Sequence, residues 1–194
     1  MIGWMSKTWH SMDGMTARQR AEHIGRYYWY HILLACLALG LLVLLIYHLT
    51  WGHRETVFTC AVVNQQIDYQ RDARVSAEFA SVLGADEDEV VFDSDYQISY
   101  GSVRMEATKT STYEKFFMGW AVHELDAAIM PLSFRDFCEK QGGEFAECIE
   151  LTDERILDRL GLVNPEHDPL VLVLPADSKH SEAGRRFLRY VEHL

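Results

Sequence analysis

An apolar stretch at residues 32–47 constrains this chain more than any other feature. It contains no charged residue and departs from plain aliphatic side chains at Cys36, Gly40 and Tyr47. With its flanking aromatic residues it reaches roughly 20 residues, and a helix of that length, rising about 1.5 Å per residue, matches a hydrocarbon core of about 30 Å. A helix of a soluble core normally keeps one polar stripe, but this segment is apolar on every side. We therefore predict a transmembrane helix over residues 28–50.

Aromatic residues stand at both ends of this stretch. Tryptophan and tyrosine rings are amphipathic and settle at the depth of the lipid headgroups. We predict membrane-interface anchors at five positions, namely Tyr28, Trp29, Tyr30, Tyr47 and Trp51. A cleaved signal peptide is not expected, because about thirty residues precede the apolar run and no A-x-A cleavage pattern follows it.

Basic residues are unevenly distributed around the predicted span. Arg18, Arg20 and Arg26 lie within about twenty residues before it, whereas Arg54 alone lies close after it. The positive-inside rule therefore predicts that residues 1–27 are cytoplasmic and that the rest of the chain lies outside the cell. We expect the cytoplasmic segment to contain an amphipathic helix on the inner leaflet, or to be a plain extension of the span.

The part of the chain after the span is strongly acidic. The whole chain has a net charge of −11, and its first 54 residues contain five Lys or Arg and two Asp or Glu, so residues 55–194 carry −14. Such a surface repels nucleic acid and anionic lipid headgroups. We therefore expect no nucleic-acid partner, and we expect contact with the lipid bilayer through the span.

Residues 55–194 have the length of one domain that can bury its own core. Apolar runs with little alternation are typical of strands covered on both faces, and they occur at residues 56–63, 90–92, 126–130 and 170–174. Helical spacing is found at residues 69–83, 110–123, 134–141, 152–160 and about 181–193. This alternation predicts a three-layer α/β domain with a mostly parallel sheet.

Three cysteines lie outside the predicted span. Cys138 ends a predicted helix and Cys148 follows a Gly-Gly reversal, so their Cα atoms can come within the roughly 6 Å that a disulfide requires. An outward-facing domain permits such a bridge. The sequence leaves two alternatives open, a bridge between Cys138 and Cys148 or two unpaired thiols. Cys60 lies within the first predicted strand and is interpreted as a small core residue.

Catalytic motifs are absent from the sequence. It contains no G-x-S-x-G, no phosphate-binding glycine loop and no C-x-x-C. His123 and Glu124 match the first half of a zinc-protease motif, but the required second histidine is replaced by Ala127. The acidic run at residues 86–89 lacks the glycine and the terminal glutamate of an EF-hand, and we interpret it as a solvated loop. We expect no enzymatic activity, no cofactor and no metal.

Three segments of residues 55–194, taken in order, resemble type 2 periplasmic solute-binding proteins. Asp126, after a predicted helix, begins a segment similar to one strand of that family. The second segment carries Gly142, Gly143, Phe145 and Leu151. The third is a strand and last helix carrying Lys179, His180, Glu182, Ala183, Phe187, Leu188 and Tyr190. The N-terminal part also resembles small membrane-anchored proteins of Firmicutes whose function is not established.

This resemblance implies a domain like one lobe of a type 2 solute-binding protein. A small solute held against one lobe stays largely exposed, whereas tight small-molecule sites enclose most of their ligand. We therefore expect an extracytoplasmic interaction module whose partners are membrane proteins. Its expected role is that of an accessory subunit of a membrane transport complex such as an ABC transporter.

Two other functions remain alternatives. The first is an extracytoplasmic solute-binding or sensor protein, in which Asn64, Gln65 and Asp126 near strand ends contact the solute. The second is an enzyme that uses the acidic loops and a metal.

Overall fold

The structure, a computed structural model, describes residues 16, 26, 29–51, 55–105, 110–165 and 167–194. The chain divides into two units, residues 1–53 and residues 54–194. The predicted cytoplasmic segment 1–27 lies outside the described residues except at residues 16 and 26, and the predicted anchor Tyr28 lies outside them too.

The first unit contains one long helix, α1 (Trp29–Trp51). Among the described residues it is the one helix long and apolar enough to cross a membrane, with a mean hydropathy of 2.4 over Trp29–His48. None of the described residues in that stretch is buried. Trp29, Tyr30 and Tyr47 are each more than half exposed. The predicted apolar helix is confirmed, while its topology in a membrane stays a prediction.

The second unit alternates strands and helices around one sheet. The strands are β1 (Phe58–Val63), β2 (Val90–Tyr96), β3 (Ala127–Pro131), β4 (Phe145–Glu150) and β5 (Leu170–Pro175). The helices are α2 (Tyr69–Leu83), α3 (Thr110–Ala121), α4 (Leu132–Lys140), α5 (Glu154–Leu160) and α6 (Ser181–Glu192), with a 3-10 turn at Glu87–Glu89. The predicted α/β class is confirmed.

The sheet is mixed rather than mostly parallel. Its strand order is β2-β1-β3-β5-β4, and β1 pairs in parallel with both β2 and β3. Strand β5 pairs antiparallel with both β3 and β4. The predicted parallel arrangement is wrong for β5, because an uninterrupted apolar run indicates burial on both faces but does not fix the direction of the strand.

Both faces of the sheet are covered by helices, which gives three layers. On β1, Phe58, Cys60 and Val62 face one apolar cluster, and Ala61 and Val63 face another. The first cluster packs the sheet against α2, α5 and α6, and the second packs it against α3 and α4. The apolar, non-alternating sequence of β1 is explained by this two-sided burial.

Helix α2 begins and ends as the sequence predicts. The side chain of Asp68 accepts hydrogen bonds from the backbone N–H groups of Gln70 and Arg71, at 3.0 and 3.1 Å. Gly84 ends the helix with φ at +72°, a left-handed conformation that glycine adopts without steric cost.

Strand β4 was not predicted from the sequence. Its residues alternate between partly buried and exposed, because it lies at the edge of the sheet and pairs with β5 alone. Glu147 and Glu150 lie on this edge strand, and Asp93 and Asp95 lie on the opposite edge strand β2. Charged side chains on edge strands oppose pairing with further strands.

A close approach between α6 and the start of β3 generates the first prediction. A Cβ atom at Gly184 would lie 2.9 Å from the backbone oxygen of Asp126 and 3.4 Å from a methyl group of Leu174. Gly184→Ala is therefore expected to lower the free energy of unfolding by about 1–3 kcal/mol through overpacking. Chemical denaturation of the detergent-solubilised full chain measures this change.

Gly119→Ala is the matched control, since Gly119 also lies within a helix. A Cβ atom there has three side-chain atoms of Leu125 as its nearest neighbours, the closest at 3.4 Å. This variant should be as stable as the original chain, or more stable by up to about 1 kcal/mol, because alanine favours helix. Equal destabilisation of the two variants would contradict the packing of α6 described here.

Candidate functional site

Three loops meet at one end of the sheet and line an open cavity of about 250 Å³. They are the turn between α3 and β3, the turn between α4 and β4, and the loop between β5 and α6. The cavity is lined by Trp120, Ala121, His123, Gly142, Glu144, Pro175, Asp177 and Ser178. This end of the sheet carries the amino ends of β1, β3 and β4 and the carboxyl end of β5.

Backbone hydrogen bonds hold the three loops together. The N–H of Lys179 donates to the carbonyl of His123 at 3.3 Å, and the N–H of Ala176 donates to the carbonyl of Glu144 at 3.0 Å. His123 has a φ of +61°, which is uncommon for a residue other than glycine. Its N–H also donates to the carbonyl of Trp120 at 3.0 Å. The walls of the cavity are therefore fixed by main-chain contacts as well as by side chains.

A buried carboxylate, Asp126, anchors one of these loops. Its Oδ1 atom accepts hydrogen bonds from the hydroxyl of Ser178 at 2.6 Å and from the N–H of His180 at 3.1 Å. Its Oδ2 atom accepts from the N–H of Thr59 at 2.9 Å and lies 3.3 Å from Nδ1 of His180. The side chain of Asp126 has no solvent exposure. One buried charge thus joins the start of β1, the start of β3 and the loop before α6.

The negative charge of Asp126 also affects the pKa of a neighbouring core residue, Cys60. Burial raises the pKa of the Cys60 thiol well above its ordinary value, and the charge of Asp126 raises this pKa further. Cys60 is fully buried in β1, as predicted, and remains an uncharged core residue. The carboxylate therefore lies in surroundings where its hydrogen bonds are shielded from water and strengthened.

The contact between Asp126 and His180 does not form a serine-hydrolase relay. In such a relay the serine hydroxyl donates to the histidine that the carboxylate orients. Here the hydroxyl of Ser178 donates to the carboxylate itself, and the backbone N–H of His180 donates to that hydroxyl at 3.1 Å. These bonds position the loop and leave Ser178 on the cavity wall.

The predicted contact residues Asn64 and Gln65 lie at the opposite end of the sheet from Asp126. The Asn64 amide donates to the carbonyl of Ile98 at 3.0 Å and accepts from its N–H at 2.7 Å. The Gln65 side-chain oxygen accepts from the N–H of Val163 at 2.9 Å. Both amides are engaged in joining loops, so the three predicted residues do not form one site.

A buried ion pair on α2 was not anticipated from the sequence. Arg71 and Asp72 are adjacent on α2, their side chains are 5% and 8% exposed, and Nη2 of Arg71 lies 3.0 Å from Oδ1 of Asp72. The other Asp72 oxygen accepts from the hydroxyl of Ser94 at 2.6 Å. Arg71 also donates to the carbonyls of Gln66 and Gly161, at 3.0 and 3.1 Å. This network fixes loops around α2 and presents no free polar group.

The two cysteines considered for a disulfide are free thiols in the structure. Cys138 is buried within the second apolar cluster, and Cys148 is exposed on the edge strand β4. Burial raises the pKa of Cys138 to about 12. Partial burial also raises the pKa of Cys148, and the nearby charge of Arg135 acts in the opposite direction. The structure therefore has the second of the two alternatives that the sequence left open.

The described residues contain no group of three or more His, Cys, Asp or Glu side chains placed to hold a metal ion. In the acidic loop, the side chain of Glu89 instead accepts a hydrogen bond from the N–H of Asp86 at 3.1 Å. This contact forms part of a capping box for the 3-10 turn.

Comparison of the chain with family models, with curated proteins and with solved structures found no match in any of the three.

The role of Asp126 generates the second prediction. Asp126→Asn is expected to lower the free energy of unfolding by about 1–3 kcal/mol, because an amide NH₂ replaces an oxygen that accepts from buried donors. Denaturation of the full chain in detergent measures the loss. Asp177→Asn, an exposed carboxylate on the same loop, should change stability by less than about 0.5 kcal/mol. Similar losses of unfolding free energy in the two variants would show that Asp126 does not anchor the loop.

Proposed function

We propose that this protein is a single-pass membrane protein whose extracytoplasmic α/β domain binds another membrane protein. In this proposal it is an accessory subunit of a membrane transport complex such as an ABC transporter. Residues 1–27 are cytoplasmic, α1 crosses the bilayer, and residues 55–194 lie outside the cell.

The observation that carries this proposal is the exposed apolar surface of α1. The large aliphatic side chains described between Leu33 and Ile46 are 50–68% exposed. Apolar surface in contact with water costs about 25 cal/mol per Å², so a helix of this length is stable in lipid or against other apolar helices. The aromatic residues Trp29, Tyr30 and Tyr47 lie at its two ends, as interface anchors do.

The size and charge of the domain support a protein partner. The resemblance of residues 55–194 to one lobe of a solute-binding protein favours a position beside a transporter. The net charge of −14 favours a partner surface that carries basic residues. Such a complex weakens as salt concentration rises, because at 0.1 M salt counterions largely screen exposed charges that are more than about 10 Å apart.

Co-purification from native membranes tests this proposal and is the third prediction. The tagged full chain, extracted in a mild detergent at low salt, should retain a membrane-spanning partner in constant stoichiometry, and high salt should release it. The control is a chain in which residues 1–54 are kept and an unrelated soluble domain replaces residues 55–194. This control should lose the partner while remaining in the membrane fraction.

Two results would contradict the proposal. If the full chain elutes alone after crosslinking in the membrane, the protein has no such partner. A partner retained equally by the control chain would show that residues 55–194 are not the binding domain.

A further inference from the structure

We propose that the cavity beside Ser178 binds a small organic ammonium ion. This site lies at the end of the sheet opposite Asn64 and Gln65, and its ligand does not depend on the proposed protein partner. The proposal follows from the shape of the cavity, from its aromatic wall and from the sign of its charge.

Two carboxylates and one indole ring line the cavity. Glu144 and Asp177 belong to different loops, and Trp120 lies in the last turn of α3. An ammonium group is attracted electrostatically to the face of a tryptophan ring, and it donates charge-assisted hydrogen bonds to carboxylates. These are complementary ways to bind one positive charge, and here they occur in the same small space.

Neighbouring rings hold the indole of Trp120 in place. The ring of Phe145 contacts it edge-on, with centroids 5.1 Å apart, and the ring of Phe116 lies 5.8 Å away. Trp120 is therefore packed against the second apolar cluster and also lines the cavity. A ring fixed in this way loses little conformational entropy when a ligand binds.

The charges around the cavity favour a cation over an anion. None of the described residues that line it is a lysine or an arginine. Lys179 follows the lining residue Ser178, but its contact with the wall is the backbone hydrogen bond to His123. The net charge of −14 on residues 55–194 adds attraction for cations at longer range.

The size of the cavity limits the ligand to a small molecule. Its volume of about 250 Å³ lies just below the roughly 300–1,000 Å³ of pockets that enclose drug-sized ligands. A quaternary amine or a short diamine fits this limit. The three loops are joined by backbone hydrogen bonds, so the space is formed before a ligand enters.

Titration calorimetry on the detergent-purified full chain tests the ligand class. The probes are choline, putrescine, and 3,3-dimethylbutan-1-ol, which has the shape of choline without its charge. At least one of the two amines should bind with a stoichiometry of one, and the neutral alcohol should not bind. Acetate, the anionic probe, should not bind either.

Matched variants locate the bound cation. Glu144→Gln and Asp177→Asn should each weaken binding about tenfold or more, because each removes a charged acceptor. Trp120→Phe keeps an aromatic side chain and should weaken binding less, because phenylalanine provides a weaker cation-binding face. Glu87→Gln removes the same charge from an exposed position on the 3-10 turn before β2, which does not line the cavity, and should leave the affinity unchanged.

Several outcomes would overturn this inference. Equal binding of choline and the neutral alcohol would show an apolar cavity without charge selectivity. Equal weakening by Glu87→Gln would show diffuse attraction to an acidic surface. Binding of neither amine would exclude the ligand class. None of these results would decide whether the protein has a membrane partner, which co-purification tests separately.

Discussion

The apolar side chains along α1 are exposed, and apolar surface of this extent is stable in lipid or against other apolar helices. Ten large aliphatic side chains between Leu33 and Ile46 are at least half exposed. Residues 54–194 form a separate unit with two apolar clusters of its own, one on each face of its sheet. The domain therefore does not need α1 for its core, and α1 is available to anchor it. An anchored domain meets membrane partners at a high effective concentration, which lets weak contacts suffice.

Within the domain, a buried charge organises the end of the sheet that holds the cavity. Asp126 joins β1, β3 and the loop before α6, and the backbone bonds from Lys179 and Ala176 join that loop to the two neighbouring turns. Removing one partner from a buried hydrogen-bonded charge is costly, so such a cluster holds its loops in one arrangement. The cavity is a consequence of this arrangement. The structural role of Asp126 and the ligand-binding role of Trp120 and Glu144 are therefore separate but connected.

The sequence predicted the elements well where local signals were strong. Helix α2 matches its predicted range because Asp68 and Gly84 mark its ends, and the two-sided burial of β1 follows from its unbroken apolar run. Strand β4 was missed because Glu147 and Glu150 interrupt its apolar residues on both faces, and the direction of β5 has no local signature. The cavity was missed because its lining residues come from three loops far apart in sequence. Asn64 and Gln65 were predicted from their place after a strand, but backbone groups of other loops occupy their amides.

The orientation of the domain is tested most directly by labelling Cys148 on living cells. It is exposed on β4, whereas Cys60 and Cys138 are buried, so a membrane-impermeant maleimide should react with Cys148 in preference to these two thiols. The other exposed thiol, Cys36, lies on α1, which the proposal places in the bilayer, out of reach of this reagent. Wall-stripped intact cells should label as completely as permeabilised cells, and Cys148→Ser should abolish the signal. Labelling that appears after permeabilisation alone, or recovery of the protein in the cytosolic fraction, would contradict the account.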